Sequence, residues 1–157
     1  ETGEEVQWAS SVYLGPEVVE ELVARGRKAD RHRVDHYAIA LARARVPEAK
    51  GLFAMILRDD TGRSYMTGTK FHAAVGLAQL GEPAGYEWLI AYADTMPHVA
   101  NALPGQTPDP EPVSYCAMAL RHLSGNKELS TEQEWREWWE SVDKTSLPEN
   151  HVPLVDP

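Results

Sequence analysis

Apolar residues return at three- and four-residue steps along almost all of this 157-residue chain, and runs alternating apolar with polar residues are absent. That spacing lays hydrophobic side chains along a helical stripe and not on one face of a strand, so the sequence predicts an all-α fold. Proline and glycine mark the boundaries. Val6, Ala9 and Tyr13 form the stripe of a first helix closed by Gly15-Pro16, and Pro16 opens a second with Val18, Val19, Leu22 and Val23 inward. A third runs from about Arg31 to Arg45 on Val34, Tyr37, Ala38, Leu41 and Ala42. Pro47 opens a fourth on Leu52, Phe53, Ile56 and Leu57, stopped by Thr61-Gly62.

Thr67 or Thr69 is expected to cap a fifth helix carrying Phe71, Ala74, Val75 and Ala78 and ending at Gly81. Pro83 opens a sixth on Tyr86, Leu89, Ile90 and Ala93, which Pro97 ends. A single turn over 98–103 precedes the segment 104–112, whose four prolines forbid regular helix. The seventh helix carries Tyr115, Met118, Ala119 and His122 and closes at Ser124-Gly125. The eighth starts at Ser130, with Gln133 completing a capping box, and carries Trp135, Trp138, Trp139 and Val142. The tail 146–157 reads as extended or disordered.

These helices repeat. Residues 37–42 match 73–78 at an offset of 36, which also lays Pro47 on Pro83 and Leu52-Phe53 on Trp88-Leu89. Residues 117–120 match 74–77 at an offset of 43, the difference being absorbed by the proline-rich insertion. The units fall at about 4–28, 31–60, 67–96 and 111–142 within one domain, 1–145. Small residues at Ala38, Ala42, Ala74, Gly76, Ala78, Ala117 and Ala119 allow close helix approach, and a hairpin with an apolar stripe on each helix must stack on a neighbour to cover both. The expected architecture is a short right-handed α-solenoid of stacked helical hairpins.

The unit from Phe71 to Asp94, FHAAVGLAQLGEPAGYEWLIAYAD, resembles a HEAT or HEAT-like repeat: an Ala/Leu-rich helix, a Leu-Gly-x-Pro turn and a second amphipathic helix. YCAMALRHLSG followed by EWREWWES is similar to the closing repeat of bacterial proteins of this type. The resemblance implies an α-α superhelix that acts as a non-catalytic protein-binding or scaffolding module, with an unidentified protein as partner and no cofactor.

Composition narrows the chemistry. A single cysteine excludes an internal disulfide and a thiolate zinc cluster, and no stretch approaches the ~18 apolar residues of a membrane span. The formal net charge is -9, yet the window from Arg25 to Arg45 holds seven cations and two anions, while Asn126 onward holds three cations and eight anions. Nucleic-acid contact through Arg25–Arg45 is therefore an alternative that the overall charge opposes. The first residues, Glu1-Thr2-Gly3, include no initiator Met, and the chain is expected to be part of a larger polypeptide or complex.

Candidate site residues are few. Trp88 and Tyr92 share one side of the sixth helix and are expected on an inner, concave surface that takes the partner, with His36, His72, Arg31 and Arg33 as further contacts. His32 and His36 stand four apart, a spacing that holds a metal only with a third ligand from elsewhere. The repeat register superposes His36, His72 and Tyr115, whose rings would form a column able to bind a small molecule or metal. Trp135, Trp138 and Trp139 are expected to seal the end of the last unit rather than to dock a partner. Cys116 falls on the small-residue stripe and reads as a buried, inert thiol. No phosphate loop, nucleophile elbow or paired carboxylates call for catalysis.

Overall fold

Seven α-helices account for most of the computed structural model, which describes residues 14–59, 64–95, 98–99 and 113–147. They are α1 (Pro16–Lys28), α2 (Val34–Ala44), α3 (Lys50–Arg58), α4 (Thr67–Gln79), α5 (Pro83–Ala91), α6 (Tyr115–Ser124) and α7 (Glu132–Ser141). The predicted first helix, the segment 104–112 and the tail beyond residue 147 lie outside the described residues. None of the described helices is long and apolar enough to cross a membrane.

Prolines open α1 and α5 as the sequence predicts. Pro47 instead begins a 3₁₀ turn, Pro47–Ala49, that runs into α3. Three helices end with a residue in left-handed geometry, where a carbonyl of the last turn finds a donor: Arg45 (φ 53°), Asp59 (φ 51°) and Gly125 (φ 74°). α3 thus stops at Arg58, before Thr61-Gly62, and α5 stops at Ala91, well before Pro97.

The predicted caps need correction. α4 starts at Thr67 behind an extended Met66, no side chain caps it, and Thr69 is buried inside the first turn. The capping box of α7 lies one residue later than Ser130 and Gln133. Thr131 Oγ1 accepts from Glu134 N at 3.2 Å, and Glu134 Oε1 accepts from Thr131 N at 3.1 Å. Ser130 is otherwise engaged: its Oγ accepts from Arg121 Nη2 at 2.6 Å, while Arg121 Nε donates to Leu129 O at 2.8 Å. α6 is capped by Ser114, whose Oγ accepts from Ala117 N at 3.0 Å.

Where a helical turn was expected after Pro97, His98–Val99 (β1) pairs antiparallel with Val113–Ser114 (β2), His98 opposite Ser114 and Val99 opposite Val113. A two-residue ladder carries too little periodicity to be seen in sequence. It sets Ser114 where α6 needs its cap.

Around α4 the rest is organised. It packs on α2, α3, α5 and α6, while α1 lies on α2 and α3, and α7 on α5. Ala73 and Leu77 join Leu41, Leu52, Phe53 and Ile56 in one apolar core; Ala74, Val75 and Ala78 join Tyr86, Leu89, Leu120 and Trp135 in a second. A helix buried on both sides cannot be amphipathic, and α4 is apolar nearly all round. The stripe of small residues does what the sequence predicts of it: Ala38, Ala42, Ala74, Gly76, Ala78, Ala117 and Ala119 are all buried. At Gly76 a Cβ would stand 2.5 Å from Cε2 of Phe53, so α3 approaches α4 closely only there because the side chain is missing. Val18, expected inward, is 47% exposed, since Val19 takes the core position one residue on.

Candidate functional site

Trp88 and Tyr92 stand one turn apart at the end of α5, and their rings stack at 4.3 Å between centroids with an interplanar angle of 19°. Trp88 is half-buried against the second core, whereas Tyr92 is 39% exposed. Stacking on a fixed neighbour removes rotamer freedom from Tyr92, so the pair offers a rigid aromatic ledge with little left to order on binding.

The cationic window splits in two. Arg25, Arg27, Lys28, Arg31 and Arg33 lie exposed around the turn between α1 and α2, with His32 and His36 beside them. Arg43 is half-buried and Arg45 is buried, and burial lowers the pKa of the Arg45 guanidinium. Arg25 pairs with Glu21 at 2.6 Å. Asp30 Oδ1 accepts from His32 N at 2.9 Å and from Arg33 N at 3.0 Å, which shapes the entry to α2 and holds the carboxyl below the usual range. The exposed cations form a basic corner that includes Arg31 and Arg33.

His36, His72 and Tyr115 occupy different settings. His72 and Tyr115, both half-buried, flank the ring of Phe71, with centroids 5.4 Å and 6.3 Å from it, and His36 is exposed on the first turn of α2. Phe71, which the register argument overlooked, is the ring that joins two of the three. Among the described residues no group of three or more His, Cys, Asp or Glu side chains could hold a metal. Cys116 is buried, and burial pushes its thiol up to about 12, so it stays protonated at neutral pH.

The far end is aromatic. Trp135 is fully buried and Trp139 nearly so, while Trp138 stays half-exposed at its edge. Trp135 meets Trp138 edge-on at 5.4 Å, and Tyr86 stacks on Trp139 at 5.1 Å. Two of the three tryptophans seal the core as expected; Tyr86, read only as an inward residue of its helix, completes the cluster. Beside it an open pocket of about 240 Å³ is lined by Tyr86, Leu123, Ser124, Trp138, Val142, Asp143, Ser146 and Leu147. At the opposite end an apolar groove of about 590 Å³ runs between α1 and the Val46–Glu48 turn, over Leu14, Pro16, Val19 and Val23.

Three exposed carboxyls, those of Asp30, Glu134 and Asp143, sit below their ordinary pKa values, each chiefly through a hydrogen bond it accepts: from His32 N, Thr131 N and the Thr145 hydroxyl, respectively. A depressed folded pKa means that near pH 4 the unfolded chain binds more protons. Their stabilisation is therefore complete above the ordinary carboxylate pKa and is lost as pH falls through the folded values. Thermal melts between about pH 5 and pH 3 are expected to show a falling Tm, with a shallower slope in Glu134→Gln.

Comparisons with protein-family models, with curated proteins and with solved structures found no match to this chain.

Proposed function

We propose that the chain is a non-catalytic protein-binding module, a short right-handed stack of helical hairpins of HEAT-like type that presents Trp88 and Tyr92 to a protein partner. The stacked aromatic pair carries this reading, because rigid, partly exposed Trp and Tyr side chains are the residues that most often concentrate binding energy at interfaces. The helix contacts support the architecture in part: α2, α4 and α6 pack side by side in chain order, while α1 lies on α3 and α5 on α7. The exposed Arg31 and Arg33 supply positive charge that favours an acidic partner surface.

Affinity capture with the wild-type chain and with a Trp88→Ala/Tyr92→Ala double variant tests the reading. Partners held through this ledge are expected to bind the variant roughly 30-fold more weakly. Recovery of the same proteins at the same strength by both would overturn it. The nucleic-acid alternative predicts retention of the chain on a filter with DNA or RNA at low salt; the reading here predicts none.

A further inference from the structure

Pro16, Val19, Glu20 and Val23 fall three and four residues apart and so share one stripe of α1. With Leu14 they make one wall of the apolar groove of about 590 Å³, and Val46, Pro47 and Glu48 of the 3₁₀ turn make the other. Six of these eight residues are apolar, two are carboxylates and none is a cation. One carboxylate stands on each wall, and both are exposed. The nearest cations along the chain answer to other acids: Arg25 pairs with Glu21 at 2.6 Å and Lys50 with Glu82 at 3.0 Å. Among the described residues Glu20 and Glu48 have no hydrogen-bond or ion-pair partner of their own.

Charge and backbone together choose the occupant. An apolar floor between two unpaired carboxylates fits an apolar surface flanked by lysine or arginine and repels an anionic one. The walls are a helix and a 3₁₀ turn and offer no strand edge, so a guest is held through side chains, as an amphipathic helix is, and not as an added strand. Pro16 and Pro47 each open their wall and fix its backbone there, which leaves less to order on binding. The first thirteen residues of the chain hold three glutamates and no lysine or arginine, and the whole chain carries a formal charge of -9. Charge therefore matches neither that segment nor a second copy to this groove.

We propose that this groove docks a cationic amphipathic helix of a protein partner, with its apolar face between α1 and the 3₁₀ turn and its lysines or arginines at Glu20 and Glu48. Neither Trp88 nor Tyr92 lines the groove, so the site stands or falls apart from the aromatic ledge. The probe is a fluorescein-labelled leucine/lysine peptide of about four helical turns, titrated with the full chain at about 0.15 M salt and followed by anisotropy. Saturable binding is expected. Glu20→Lys/Glu48→Lys should weaken it roughly 30-fold, Glu20→Gln/Glu48→Gln roughly fivefold and Val23→Ala roughly threefold, all with unchanged far-ultraviolet circular dichroism. Glu137→Lys/Glu140→Lys makes the same change in net charge at exposed positions of α7 and should leave the affinity unchanged. A leucine/glutamate peptide of the same pattern should not saturate, and a scrambled leucine/lysine peptide should bind more weakly. No saturable binding, or an equal loss from the α7 pair, would overturn the site. The leucine/glutamate peptide binding as tightly would overturn the cationic partner, and the scrambled peptide binding as tightly would overturn the helix.

Discussion

Replacing Trp135 by Ala is expected to cost about 3–5 kcal/mol, the range for removing a large aromatic side chain from a packed core. Trp135 has no exposed surface, meets Trp138 edge-on and belongs to the core that α4, α5 and α6 share. Against a typical total stability of about 5–15 kcal/mol, the loss removes a large part of the margin. Trp135→Phe should recover much of the deficit, because it keeps most of the apolar volume and removes a buried Nε1–H that finds no acceptor. Trp138→Ala, at a half-buried position, should cost distinctly less than Trp135→Ala. Urea unfolding followed by circular dichroism separates these cases, and equal costs at 135 and 138 would refute the view that the buried ring closes the core.

Gly85→Ala should destabilise by about 3 kcal/mol, the upper end of ordinary overpacking. A Cβ at Gly85 would overlap the carbonyl oxygen of Ala74 and the amide nitrogen of Ala78, both backbone atoms of α4. A side chain could swing away, but a helix backbone cannot move without shifting everything packed on it. Gly68→Ala provides the contrast: nothing lies within 4 Å of the added carbon, and the gain in helix propensity should stabilise by up to about 1 kcal/mol. Two substitutions of the same chemistry in neighbouring helices are thus expected to move Tm in opposite directions.

Helix identity was legible because it depends on spacing within a dozen residues. Pro16 and Pro83 open helices, Gly125 closes one, and of the stripe Val34, Tyr37, Ala38, Leu41 and Ala42 all are buried but Tyr37, which is half-buried. Caps were less legible, since Ser130, Thr131, Gln133 and Glu134 offer two overlapping boxes. The choice between them rests on Arg121, which takes the Ser130 hydroxyl from α6. The pairing of His98–Val99 with Val113–Ser114 spans too great a separation for local pattern to reveal. At the candidate site, the i, i+4 spacing of Trp88 and Tyr92 placed them on one side, but only packing could bring the rings to 4.3 Å. Formal charge was misleading over Arg25–Arg45, where burial withdraws Arg43 and Arg45 from the basic face.

By itself, the order of apolar, small and helix-breaking residues determined that this chain forms successive helices with alanine-lined contact surfaces, because both properties follow from backbone geometry and side-chain volume close along the chain. The tertiary structure alone decided that α4 is enclosed between two cores, that Tyr86 meets Trp138 and Trp139, and that Asp143 comes to the same pocket as these rings. Such meetings depend on how helices approach one another, and the approach is set by steric fit between residues far apart in sequence, as at Gly85 against Ala74 and Ala78.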